Sequence, residues 1–183
     1  MFESLLARIA VKLDEVELPY MVIGGQAVLL YGEPRLTVDI DITLGATVEH
    51  LPMVLAAAEA ISLRPLVDPE PFVNETMVLP CEEPDSGLRV EFIFSSSPYE
   101  PQAIERGRMV RLADVPVRFA SLEDVIIHKV IAGRPRDLED VRAMLIKNPE
   151  HDSVYVQDWL DQFSDALDEP YRARFDGLLS EIL

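Results

Sequence analysis

Two aspartates one residue apart, Asp39 and Asp41 in the run TVDIDITL, carry the most suggestive chemistry in this chain. The surrounding pattern predicts a strand over 36–44, in which Leu36, Val38, Ile40 and Ile42 alternate with Arg35, Thr37, Asp39, Asp41 and Thr43. Aspartate is depleted in strands, and period-two alternation puts both carboxylates on one face. At a spacing of about 6 to 7 Å they repel by roughly 2 to 3 kcal/mol at an effective dielectric near 20. A solvated strand face that is merely acidic would tolerate that repulsion, whereas a bound cation would remove it. Hard divalent ions such as magnesium take oxygen ligands and usually share them with substrate phosphates.

A third carboxylate is available. In LRVEFIF, Val90, Phe92 and Phe94 occupy one face of a predicted strand and Glu91 the other, together with Arg89. If that strand lies beside the one carrying Asp39, three acids converge on one face. Pairing with a neighbouring arginine is the competing role for Glu91.

Gly24-Gly25 follows a short apolar strand and precedes a helix. It serves either as a tight turn or as a place where backbone N–H groups approach a phosphate at a helix N-terminus. No G-K-[ST] follows, so it is not a P-loop. Lys129 falls within the apolar stripe of Leu122, Val125 and Ile126 on a helix predicted over 122–132. A lysine there either snorkels outward or meets an anion, a carboxylate and a phosphate serving equally. His50, His128 and His151 have no ligand spacing, and Cys81, the single cysteine, excludes an internal disulfide.

Read together, GGQAVLLYGEPRLTVDIDI resembles the DNA polymerase beta-like nucleotidyltransferase superfamily, whose signature is a Gly-Gly or Gly-Ser turn, a helix and an acidic pair on a strand. More narrowly, the chain is similar to small bacterial nucleotidyltransferases of the abortive-infection toxin type. The R-x-T-x-D-x-D run is matched by Arg35, Thr37, Asp39 and Asp41, and the late lysine helix by LEDVIIHKVIAGRPRDLEDV. The resemblance spans roughly residues 18 to 145 and implies a role for each matched residue. Asp39 and Asp41 would hold two Mg2+ ions, and Glu91 would complete the site beside the attacking hydroxyl. Gly24 and Gly25 would face the nucleotide phosphates, with Arg35, Thr37 and Lys129 also on the nucleotide. The third acid is often aspartate in these enzymes, so Glu91 is one methylene longer than the pattern. The implied reaction moves NMP from an NTP, ATP among them, to a tRNA end, a protein side chain or a small molecule. A toxin role with an antitoxin partner is a further implication, as is the alternative of a non-catalytic nucleotide- or partner-binding module that keeps the fold.

The elements that must position these residues follow from the wider pattern. Phe2, Leu5, Leu6, Ile9, Leu13 and Val16 recur at helical spacing. EEPDSG reads as the turn of a hairpin, and Ala113-Asp114 as the turn of another. SLED reads as a helix cap at Ser121, Gly133 as a helix stop, Asp137 as the cap of the next helix, and Pro65, Pro69 and Pro71 as an irregular connection. The expected fold class is α+β, a mixed or antiparallel sheet flanked by helices, with a nucleotidyltransferase-like domain over 1–147 and a C-terminal helical extension over 148–183 packed on it. At 183 residues and 49% hydrophobic, the chain is long enough for a real core. No stretch approaches the ~20 apolar residues of a membrane span, and no secretory leader is evident, so the expected location is cytoplasmic. The net charge of −17 argues against nonspecific binding to duplex DNA. Arg108, Arg111 and Arg118, and Arg134, Arg136 and Arg142, are the candidate local basic patches.

Overall fold

The computed structural model describes residues 2–34, 37 and 39–182. They fall into two compact units, Met1–Gln26 with Leu36–Ala120, and Ala27–Arg35 with Ser121–Leu183.

The first unit is built on seven strands: β1 (Tyr20–Ile23), β2 (Asp39–Leu44), β3 (Arg64–Pro65), β4 (Val78–Glu83), β5 (Leu88–Ile93), β6 (Arg108–Leu112) and β7 (Val115–Phe119). They form one mixed sheet in the order β3-β4-β5-β2-β1-β7-β6. Two pairings are parallel, β2 with β5 and β1 with β7. The others are antiparallel, including the two expected hairpins β4–β5 and β6–β7. The fold class is therefore α+β with a mixed sheet. Alternation decides which face is covered. Val22, Ile40, Ile42, Leu44, Leu79, Cys81, Val90 and Phe92 are buried together on one face, while Asp39, Asp41 and Glu91 on the other are half-buried. Burial pushes the Cys81 thiol up to about 12. Helix α1 (Phe2–Glu15) packs on β6 and β7 through the face that carries Leu5, Leu6, Ile9 and Leu13, each such burial stabilising by roughly 1.5 to 3 kcal/mol.

The other helices of this unit are α3 (Leu51–Ala60), α4 (Pro69–Thr76) and α5 (Tyr99–Arg106), and α2 (Gly24–Tyr31) follows β1. The proline-rich stretch expected to be irregular is thus partly helical. Proline at the first helical position forfeits no hydrogen bond and has its φ preset, and Met77 in the left-handed region stops the helix before β4. The strand expected to begin at residue 36 enters the sheet ladder at Asp39; Arg35, Leu36 and Val38 lie outside the described residues.

The second unit contains α6 (Leu122–Ala132), α7 (Pro135–Lys147), α8 (Ser153–Leu167) and α9 (Tyr171–Ile182). Ser121 caps α6 as expected, its hydroxyl accepting from the Asp124 N–H at 3.2 Å, and Gly133 ends the helix at φ +63°. The α6–α7 elbow departs from expectation at one position. Arg134 is the cap of α7 and Pro135 its first residue, which moves Asp137 into the first turn and frees its carboxylate for other partners. The fully buried Asp124 is satisfied by the Ser121 hydroxyl at 2.5 Å and the Tyr155 hydroxyl at 2.9 Å, so α8 is tied to α6 through a polar contact.

Candidate active site

Strand register does most of the work of assembling the acids. In the parallel β2–β5 pair, Asp39 lies opposite Arg89 and Asp41 opposite Glu91. Paired residues of neighbouring strands share a face and stand about 4.8 Å apart across the ladder. Asp39, Asp41 and Glu91 therefore occupy one open patch of sheet, as the sequence reading required, with the exposed Arg89 among them. Among the described residues, the side chains of Asp39 and Glu91 make no hydrogen bond or ion pair. On the far side of β2, Ile23 pairs with Asp41 and leads directly into Gly24.

Gly24 and Asp41 fit together closely. Gly24 sits at φ +64°, and a Cβ built on it would lie 1.8 Å from Asp41 Oδ2. Only a glycine lets the carboxylate rest over this α-carbon, and only a glycine takes this backbone conformation without strain. Gly24 and Gly25 form the first turn of α2, where backbone N–H groups have no intrahelical partner. In the same turn the Gln26 side chain donates from Nε2 to Thr37 Oγ1 at 2.6 Å.

The donor set suits magnesium. Among the described residues no three His, Cys, Asp or Glu side chains form a ready-made metal cage. Magnesium does not need one, since it is commonly held by one or two carboxylates, with water and substrate phosphates filling the rest of its octahedron. Asp39 and Asp41, open on a sheet face and backed by a Cβ-free glycine, match that mode of binding.

Lys129 belongs to the helical unit, and there the anion on its apolar face is a pair of carboxylates. Its Nζ lies 2.6 Å from Asp137 Oδ1 and 2.9 Å from Asp140 Oδ2. Arg134 Nε reaches Asp137 Oδ2 at 2.6 Å, so two positive and two negative charges balance. Burial alone would push the Asp137 carboxyl up. Hydrogen bonds from Lys129 and Arg134, reinforced by their charges, outweigh it and hold the group below the ordinary carboxylate range. Arg35, the remaining expected nucleotide contact, lies outside the described residues. Of the basic residues, Arg134 and Arg142 are engaged in ion pairs, Arg118 Nη1 donates to the Ile104 carbonyl at 3.2 Å, and Arg108 and Arg111 are exposed on the edge strand β6.

Sequence reasoning missed Gln26. The available signal was that it is the one amide in an otherwise apolar or glycine-and-tyrosine helix, GGQAVLLY.

A family model described as a nucleotidyltransferase of unknown function (DUF6036) matches residues 2–162. The chain belongs to this family. Membership accords with the glycine turn, the acidic pair and the parallel strand carrying Glu91. Solved structures share the fold of this DUF6036 nucleotidyltransferase. The antibiotic-resistance factor ANT(2″)-Ia in solution is 18% identical, with a TM-score of 0.60 over 98% of this chain and 94% of that one. ANT(2″)-Ia in complex with adenylyl-2″-tobramycin is 19% identical, at a TM-score of 0.58 over 94% and 98%. A nucleotidyltransferase-type protein from Thermotoga maritima is 18% identical, at 0.54 over 77% and 90%. No curated protein matches the chain. No helix among the described residues is long and apolar enough to cross a membrane.

Proposed function

We propose that this DUF6036 protein transfers a nucleoside monophosphate from an NTP to a hydroxyl acceptor in a magnesium-dependent reaction. The carrying observation is the β2–β5 register, which sets Glu91 beside Asp41 on an open face while Gly24 leaves room for the Asp41 carboxylate. Asp39 and Asp41 would hold magnesium, which would supply positive charge to offset the negative charge developing in the transfer. Gly24 and Gly25 turn unpaired N–H groups of α2 toward the phosphates. Glu91 accepts the acceptor's proton as its oxygen bonds to the α-phosphorus and the bond to the departing pyrophosphate breaks. Thr37, just ahead of the acidic pair, contacts the nucleotide.

The acceptor class best supported is a small molecule. ANT(2″)-Ia, whose fold this chain shares, has been captured with adenylyl-2″-tobramycin. A net charge of −17 also disfavours a long polyanion and favours a cationic acceptor. A tRNA end or a protein side chain is the competing acceptor class, and a toxin role with an antitoxin partner is a separate implication of the resemblance. A second reading, a binding module that keeps the fold, draws on Glu91, one methylene longer than the aspartate often found at this place in such enzymes.

The experiment is a transfer assay with α-labelled NTPs, magnesium and a panel of amino sugars, tRNA and proteins, run with wild type and with Asp39→Ala/Asp41→Ala. Label on an acceptor in wild type alone supports the enzyme. Equal labelling in the two proteins sinks it, and nucleotide binding without transfer on any acceptor favours the binding module.

A further inference from the structure

The β2 ladder begins at Asp39, opposite Arg89. Thr37, the described residue just ahead of it, belongs to no strand and is held by a side chain instead, through the 2.6 Å bond from Gln26 Nε2 to its hydroxyl. Gln26 stands at the third position of α2, next to the two glycines, and is half-buried, as is Thr37. The contact thus joins the first turn of the helix to the chain entering the acidic strand, across eleven residues of sequence.

We infer that Gln26 is a positioning residue that tethers the entry to the acidic strand and orients the Thr37 hydroxyl as a donor. The inference rests on the reading of Asp39 and Asp41 as the metal and nucleotide site. A hydroxyl has one proton and two lone pairs. With one lone pair taken by the Gln26 N–H, the Thr37 proton cannot be given back to the same nitrogen and is available to another acceptor. Polarisation by the incoming N–H strengthens that donor. Beside an acidic pair that brings in a magnesium-bound triphosphate, the acceptor of matching chemistry is an anionic phosphate oxygen. Without Gln26 the hydroxyl would be free to turn its proton toward the nearest carboxylate, and the segment would lose its anchor.

The full-length protein carries the test in four variants, Gln26→Ala, Gln26→Glu, Thr37→Val and Thr37→Ser. Circular dichroism first confirms that each is folded. Amide hydrogen exchange over residues 36–41 then reads the tether. Exchange there is expected to quicken about two- to tenfold in Gln26→Ala and Thr37→Val, the range that follows from losing one hydrogen bond, and Thr37→Ser is expected to restore wild-type exchange. Titration with magnesium and ATP reads the orientation. Gln26→Glu offers only acceptors, so it keeps the tether by taking the Thr37 proton. It should exchange slowly, as wild type does, yet bind magnesium-ATP at least two- to tenfold more weakly on the same hydrogen-bond scale. Unchanged exchange in Gln26→Ala overturns the tether, and wild-type nucleotide affinity in Gln26→Glu overturns the orienting role. If wild type itself binds no nucleotide, the functional reading and the orienting role fall together, while the exchange data still decide the tether.

Discussion

Asp137 and Asp140, in the helical unit, meet Lys129 at 2.6 and 2.9 Å, with Arg134 completing a balanced set of charges. The side chains of Asp39 and Glu91, on the sheet, make no hydrogen bond or ion pair among the described residues. The side chains of Lys129 and Asp137 are almost fully buried, whereas Asp39, Asp41 and Glu91 are half-open. The difference follows from the cost of removing a charge from water. A buried carboxylate must be paired within the protein, whereas a half-exposed one keeps its water and its capacity to take a cation. The first group balances its charges within the helical unit. The second leaves the side chains of Asp39 and Glu91 without a partner among the described residues, and that is the physical basis for reading it as the reactive one.

The largest effect should come from breaking the completed group. Lys129→Met leaves two acids without their shared cation, and removing one partner of a buried pair costs about 3 to 5 kcal/mol. Chemical denaturation should register that loss, and wild-type stability in the variant would show that the network does not hold the α6–α7 elbow. Acid sharpens the same contrast. The folded-state value of Asp137 lies below its unfolded one, so its contribution is present above about pH 4 and is lost as pH falls through the depressed value. The stability curves of wild type and Asp137→Asn should therefore be separated at neutral pH and converge in acid. Parallel curves throughout would contradict the assignment.

On the open side, Gly24→Ala brings a Cβ to 1.8 Å from Asp41 Oδ2 at a backbone angle of +64°. The strain is about 1 to 2 kcal/mol, and the displaced carboxylate should weaken magnesium-dependent nucleotide binding more than it lowers stability. Nucleotide binding equal to wild type would show that the close fit is not part of the site. The smallest effect belongs to Asp39→Asn. Relieving a like-charge pair on a half-open face should leave metal-free stability within about 0.5 kcal/mol of wild type, or slightly above it. A clear loss instead would mean that Asp39 is structural, like Asp137.

Much of this was legible in the sequence where the cause is local. Alternation placed Asp39 and Asp41 on the open face, SLED announced the Ser121 cap, Gly133 the helix stop and EEPDSG the hairpin turn, each depending on residues within a turn or two. Alternation also put Glu91 on the polar face of its strand, although only the β2–β5 pairing could bring it beside Asp41. Three features were hidden. The prolines at 69 and 71 read as breakers because proline at a helix start and proline in a loop look alike until the following residues pack. Asp137 read as a cap because its partner Lys129 stands eight residues earlier, across an elbow. The closeness of Gly24 to Asp41, and of Gln26 to Thr37, exists only once helix and strand are in place.

The central claim is that the open carboxylates are completed by magnesium and a nucleotide. Isothermal titration of the purified protein with each NTP, with and without magnesium, tests it most directly when Asp39→Ala/Asp41→Ala is measured alongside. The account predicts magnesium-dependent binding of at least one NTP that disappears in the double variant while its fold is retained. Binding that is equal in the two proteins, or absent from wild type with every NTP, would contradict it.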